Sequence, residues 1–346
     1  MSFLSRWHYK MLFSFAIMYV TVSCIVAYAL LWNTPLPSPI DNTVTLVPNK
    51  SNDNLVPSCA TSKELIRDPL LNCTLLDSLS YQQFLAQGWT KIVHKARLDN
   101  GVNIAIKTVN LNGKDVIDCS RSLPLLDCHN KATEKLLREI QLLETFQHEN
   151  IIKLLYYCSK TEGGDGCMKY AVIGTELGDT LSNLKLLQMS WRERKQIIQD
   201  LAQLIHYSNS QNLGLADLRR PQFVIVNGRL KLADLDDILI GEPLCTSALN
   251  CSGNFVFLKT NKIFIQILII LCIFAGLNIT IDCISGRCSG YNMKLNVQKS
   301  FREFGPYIFI PEGVPKEATT NLKKLKKLWG ENMVPTSHLL SVAMTL

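Results

Sequence analysis

The chain has 346 residues, of which 47% are apolar and 19% charged, a balance that supplies a packed core and excludes wholesale disorder. Its 36 basic and 29 acidic side chains leave a formal charge of +7. That charge is scattered along the chain and not gathered on a stripe, which argues against a nucleic-acid binder. No repeat of about 20–50 residues is present, so solenoids and propellers are set aside as well.

The first predicted element is a helix over residues 11–32, which carry no charge. As a helix they measure about 33 Å, enough to cross a hydrocarbon core of ~30 Å. Arg6, His8 and Lys10 precede the run, while only Asp41 is charged between it and Pro48. The positive-inside rule then makes residues 1–10 a cytosolic tail and sends the rest into the lumen. Two readings stand: a signal anchor with Trp32 at the interface, or a signal peptide cleaved near Ala27 and Ala29. Both deliver the body of the chain to the secretory pathway. Residues 33–80 read as a lumenal stem, rich in Pro, Asn, Ser and Thr up to residue 58.

Ten cysteines lie outside the two apolar stretches, as expected of disulfides in an oxidising compartment. Cys119–Cys128 and Cys245–Cys251 are close enough in sequence to be local bridges. No C-x-x-C pair is present, which argues against a structural zinc site. Sequons at Asn72, Asn250 and Asn278 fit a glycosylated lumenal protein.

A β-rich half is predicted over residues 81–176. Strands Lys91–Ala96 and Asn103–Val109 flank a turn at Asp99-Asn100-Gly101. A helix over 131–146 follows, with Leu136, Leu137, Ile140, Leu143 and Phe146 on one face. Strands Ile151–Cys158 and Lys169–Glu176 complete this half. A helical half spans 177–346. Ser190 and Glu193 form a capping box for a helix buried through Ile197, Ile198, Leu201, Leu204 and Ile205. Two strands, Phe223–Val226 and Arg229–Leu232, flank Asn227-Gly228.

An apolar insertion, 255–281, interrupts the second half. Its run from Ile263 to Ile281 is either a second membrane span or a hydrophobic insertion, the latter including a misread coding sequence. In the basic run Lys323, Lys324, Lys326 and Lys327, leucines 322, 325 and 328 interleave. A solvated helix face is the expected reading, with acidic lipid or proteoglycan contact as the other.

Taken in order, these pieces resemble a protein kinase: an α+β, two-lobed fold behind an N-terminal transmembrane helix. Ile104-Ala105-Ile106-Lys107 stands where that family has V-A-I-K, whose ammonium holds ATP's phosphates and is itself held by a helix carboxylate. Glu139, nine residues before His148 of His148-Glu149-Asn150-Ile151, is the matching acid. Asp217, in Asp217-Leu218-Arg219-Arg220-Pro221-Gln222, is the expected catalytic acid that orients an acceptor hydroxyl. Asp234, in Ala233-Asp234-Leu235-Asp236, stands where D-F-G holds the metal, and Gln222 stands where an Asn binds a second one. Gly88 and Glu176 join Lys107 and Glu139 as expected nucleotide contacts. The cofactors implied are ATP with Mg²⁺ or Mn²⁺.

The chain also departs from the pattern. The glycine-rich loop is reduced to Gly88 in Gln87-Gly88-Trp89-Thr90-Lys91. Leu215 and Ala216 replace the His-Arg before Asp217, which removes the partner of an activation-loop phosphate. Asp236 replaces a glycine, and no A-P-E follows.

The segments Gly88-Trp89-Thr90-Lys91, Lys135-Leu136-Leu137-Arg138-Glu139, Arg220-Pro221-Gln222-Phe223-Val224 and Leu232-Ala233-Asp234-Leu235-Asp236-Asp237 resemble the vertebrate lonesome kinase family of secreted tyrosine kinases. Asn278-Ile279-Thr280 and Cys283…Cys288 extend the resemblance, which covers roughly residues 81–330. It implies Golgi residence or secretion, and phosphorylation of tyrosines on lumenal and extracellular proteins. Catalysis by an active kinase is the leading expectation. A pseudokinase scaffold, and a membrane-embedded structural protein with two spans, are the competing ones.

Overall fold

The computed structural model describes Cys73 and residues 79–162, 168–251, 281–330 and 335–346, all within the unit Cys59–Leu346. The apolar segment 11–32, the stem up to residue 72, Cys59, Cys167, the sequons Asn72 and Asn278, the Asn250 side chain and the insertion up to residue 280 lie outside the described residues. Among the described residues no helix is long and apolar enough to cross a membrane.

The tight turn is where the β-rich half is fixed. Gly101 takes φ +84°, and the Asn100 side chain accepts from the Val102 N–H at 3.0 Å. This closes β2 (Lys91–Arg97) on β3 (Asn103–Val109) with Lys91 opposite Val109 and Val93 opposite Lys107. With β1 (Ser80–Gln87), β4 (Leu154–Glu162) and β5 (Met168–Glu176) they form an antiparallel sheet in the order β1-β2-β3-β5-β4. β1 escapes the sequence pattern because it is mostly polar and its register is broken between Tyr81 and Gln83 and between Phe84 and Ala86. β4 starts three residues later than predicted. Residues 150–152 instead exchange backbone hydrogen bonds with Leu232, tying the two halves together.

Two helices flank this sheet: α1 (Lys114–Ser120) and α2 (Leu125–Thr145). Leu136, Ile140 and Leu143 of α2 are buried as expected. The helix begins six residues before the predicted 131, and its first turns pack on α1. Val116, Cys128 and Ala132 form that small cluster, and the predicted Cys119–Cys128 disulfide staples it.

In the helical half, short strand β6 (Asp179–Thr180) and helix α3 (Asn183–Gln188) lead to α4 (Trp191–Ser210). Ser190 and Glu193 complete both halves of the capping box, a contribution of about 1 kcal/mol. The predicted stripe Ile197, Ile198, Leu201, Leu204 and Ile205 is buried. β7 (Leu213–Leu215), β8 (Phe223–Val226), β9 (Arg229–Leu232) and β10 (Ile238–Ile240) then bracket the segments of interest. Asn227 and Gly228 both take positive φ, the geometry of a tight two-residue hairpin.

A short hairpin, β11 (Cys283–Ile284) and β12 (Arg287–Cys288), precedes helices α5 (Tyr291–Ile308), α6 (Lys316–Gly330) and α7 (Thr336–Met344). α5 lies under β7. Asn296 accepts from the Leu215 N–H at 2.7 Å and donates to the Leu213 carbonyl at 2.8 Å, and Lys299 donates to the Ala216 carbonyl. The loop after β7 is thereby held from below. On α6, Leu322 and Leu325 are buried while Lys323, Lys324, Lys326 and Lys327 are exposed, the pattern of a solvated helix face.

The proposed Cys245–Cys251 bridge does not form. Cys245 pairs with Cys283 and Cys251 with Cys288, while Cys73 pairs with Cys158. The cause is the β11–β12 hairpin, which sets Cys283 directly opposite Cys288 and offers both sulfurs to the segment that packs beside it. That segment is docked by Cys245 N–H to the Gly286 carbonyl and Cys288 N–H to the Pro243 carbonyl, both 2.9 Å. Because Cys245, Cys251 and Cys288 are all oxidised, their clustered sulfurs are not metal ligands. The same bridges bear on the two-span reading. A single crossing between Cys251 and Cys283 would separate the partners by ~30 Å. Their Cα atoms are 5.9 and 5.3 Å apart, while the segment between them, residues 252–280, lies outside the described residues.

Candidate active site

Four separate elements bring the expected residues to one cleft. β3 presents Lys107 on the face toward α2, where its ammonium donates to Glu139 Oε1 at 2.6 Å and to the Ala233 carbonyl at 2.5 Å. Glu139 is fully buried on α2, one turn from Lys135, which with Thr90 grips Asp115 of α1. Arg138 of α2 donates to the carbonyls of Asp236 and Ile238, so the helix also holds the segment that follows β9. Asp217, after β7, lines a small cavity together with Gln222, Asp234, Asp236 and Asp237.

Lys91 is the residue that sequence reasoning missed. From the start of β2 its ammonium reaches Glu139 Oε2 at 2.8 Å, Asp234 Oδ1 at 2.5 Å and Asp236 Oδ2 at 3.0 Å. Two lysines therefore share one buried glutamate. The signal was present in the hairpin. Counting outward from Asn100-Gly101 puts Lys91 diagonal to Lys107 on the same face, an arrangement of like charges that requires an acid between them.

The electrostatics follow from burial and these contacts. Burial alone would lower the Lys91 pKa, but Glu139, Asp234 and Asp236 outweigh it and hold the ammonium protonated well above the ordinary lysine range. Burial pushes Asp234 up, yet the Lys91 and Lys107 charges dominate and keep its carboxyl well below the usual range. Asp236 goes the other way. Burial, reinforced by Asp234, Glu139 and Asp237 against the pull of Lys91, raises it to about 7. Asp217 is partly buried, which works against ionisation, but hydrogen bonds from Arg219 and Gln222 prevail and lower its pKa.

Gly88 sits in the turn between β1 and β2, its N–H bonded to the Lys91 carbonyl at 2.7 Å. The Asn110 amide donates to the Gly88 carbonyl at 3.0 Å, Thr90 Oγ1 donates to Asp115 at 2.5 Å, and Lys114 lies 4.4 Å over the Trp89 ring. Side chains thus fix the loop that a glycine-rich sequence would leave to backbone amides. Glu176 does not join the cluster. Its carboxylate accepts from Lys231 at 2.5 Å and from the Lys153 N–H at 2.9 Å, at the junction of the two halves. Gln222 turns its amide nitrogen to Asp217, leaving the amide oxygen as the donor that a cation would use. The cavity's carboxylates and this amide are all hard oxygen donors, the set that suits Mg²⁺ or Mn²⁺.

A five-stranded antiparallel sheet backed by a helix, joined to a helical half, with a strand lysine on a helix glutamate beside two loop aspartates, defines a protein kinase fold. The chain is similar to the extracellular tyrosine-protein kinase PKDCC, a likeness that supports membership of that kinase family. Human PKDCC is 32% identical over 268 residues, which are 76% of this chain and 50% of PKDCC. The chain thus spans about half the length of that curated relative. Shorter similarities reach plant kinases of Arabidopsis thaliana. A G-type lectin S-receptor-like serine/threonine-protein kinase is 26% identical over 39% of this chain and 15% of its own length. The receptor-like protein kinase ANXUR2 is 30% identical over 33% of this chain and 11% of its own. No family model matches the chain.

Proposed function

We propose that the chain is a protein-tyrosine kinase of the secretory pathway that transfers the γ-phosphate of ATP to lumenal and extracellular proteins. The observation that carries the catalytic part is the meeting of Lys107, Glu139, Asp217 and Asp234 from β3, α2 and the loops after β7 and β9. Lys107, braced by Glu139, positions the α- and β-phosphates. Asp217 is ionised and oriented by Arg219 and Gln222, so it accepts the acceptor hydroxyl's hydrogen bond and aims its oxygen. Asp234, aided by the Gln222 amide oxygen, would hold Mg²⁺ or Mn²⁺, which when bound neutralises charge on the phosphates.

Four disulfides among the described residues support an oxidising compartment, and the resemblance of residues 11–32 to a signal anchor supports Golgi membrane attachment, with secretion after cleavage as the other route. The name of the human relative supports tyrosine as the acceptor and an extracellular destination. Against a pseudokinase scaffold stands the loop at Gly88–Lys91, whose scarcity of glycine is offset by its fixed side-chain anchors.

Two experiments follow. Offered equimolar peptides bearing tyrosine, serine or threonine, the secreted chain is expected to yield phosphotyrosine by phosphoamino-acid analysis. Phosphoserine or phosphothreonine alone would overturn the tyrosine assignment. Gly113→Ala tests the loop anchor, because a Cβ there would lie 2.1 Å from the Trp89 carbonyl oxygen. The clash is expected to cost about 1–3 kcal/mol and to raise the KM for ATP more than it lowers kcat.

A further inference from the structure

Lys91 has no part in the scheme above, yet all three of its ammonium donors are engaged in the centre of the site. They point at Glu139, Asp234 and Asp236, and the side chain is 8% exposed. We propose that Lys91 is an internal competitor of the divalent cation: its ammonium holds Asp234 and Asp236 until metal and nucleotide together displace it. The inference rests on the reading of Asp234 as a metal ligand.

A metal bonds a carboxylate oxygen at about 2.1 Å. Lys91 Nζ already lies 2.5 Å from Asp234 Oδ1, so the two cations cannot share that oxygen without strong repulsion. Lys107 is not in this position, since its contacts are Glu139 Oε1 and the Ala233 carbonyl. Once displaced, Lys91 keeps Glu139 Oε2 within reach and stands diagonal to Lys107 on the cleft face of the β2–β3 hairpin. Two ammonium groups then face the phosphates in place of one. The metal alone is disfavoured because it must strand a buried ammonium, whereas metal with nucleotide supplies new anionic partners for it. Binding of the two is therefore positively coupled, each raising the affinity of the other by the same factor.

The test is Mn²⁺ binding to the full chain without nucleotide, read from the electron paramagnetic resonance of free Mn²⁺. Lys91→Met is expected to tighten Mn²⁺ binding roughly tenfold, as removal of one adjacent positive charge would do. It is also expected to reduce the enhancement of Mn²⁺ affinity by a non-hydrolysable ATP analogue. Unchanged or weaker Mn²⁺ binding by Lys91→Met, with Asp234→Asn still abolishing it, overturns the lysine's role and spares the metal assignment. Retention of Mn²⁺ by the Lys91→Met, Asp234→Asn double variant overturns both. A measurement on the wild-type chain guards against misfolding of the variant. Acetylation of Lys91, followed by mass spectrometry, is expected to rise when saturating Mn²⁺ is added, and constant labelling contradicts the proposal.

Discussion

Replacing Glu139 with alanine is expected to produce the largest loss of stability of any single change in the cleft, about 3 kcal/mol or more by chemical denaturation. The carboxylate has no exposure and receives one ammonium on each oxygen, at 2.6 and 2.8 Å. Its removal leaves Lys107 with the Ala233 carbonyl as its hydrogen-bond acceptor, in a setting that solvates charge poorly. Lys91 keeps Asp234 and Asp236, so the two lysines respond unequally, and Lys107 is the one that loses its position. Activity is expected to fall about 10²-fold, the scale of a misplaced positioning group. Glu139→Gln, which preserves shape and one acceptor, separates the effects: most of the stability is expected to return while the activity does not. A full return of activity in that variant would mean that charge on Glu139 is not what places Lys107.

The largest loss of activity is expected from Asp217→Asn, about 10²–10⁴-fold in kcat with ATP affinity little changed. Asp217 is held by Arg219 and Gln222 and not by the lysines, so its replacement leaves the phosphate-holding residues undisturbed. The direction of its pKa adds a pH signature. A carboxyl held below the ordinary range stays ionised into mild acid, so the acid limb of kcat should lie below that of an unperturbed aspartate. Arg219→Ala removes the largest of the stabilising hydrogen bonds and should move that limb toward higher pH. A limb that does not move would detach Asp217 from the pH dependence.

The chain's regular features were legible because each carries a local physical signal. Asn100-Gly101 and Asn227-Gly228 marked tight turns, and alternation or a helical stripe marked the strands and α4. Lys107, Glu139, Asp217 and Asp234 could be read from order and spacing, since each sits on a different element whose sequence announces itself. What stayed hidden depends on tertiary geometry. Lys91 resembles any strand lysine until the hairpin register puts it beside Lys107. α5 has no clean apolar stripe, because Asn292 and Asn296 are buried to satisfy the backbone of neighbouring segments and Ser300 is buried to accept from the Trp329 indole. The pairing of Cys245 and Cys251 depends on a hairpin closed by Ser285 and Gly286 at positive φ, and proximity in sequence misled there.

Contacts from α1 and α2 brace the cleft on several sides. The Cys119–Cys128 bridge ties α1 to α2, Asp115 ties α1 to the Gly88–Lys91 loop, and Arg138 ties α2 to the segment after Asp234. These contacts hold Glu139 against both lysines.

The most direct measurement is single-turnover transfer from γ-labelled ATP to a tyrosine peptide by the purified chain. The account predicts phosphate on the peptide that requires Mg²⁺ or Mn²⁺ and disappears with Asp217→Asn. A chain that binds ATP with either metal but leaves its γ-phosphate in place would contradict it.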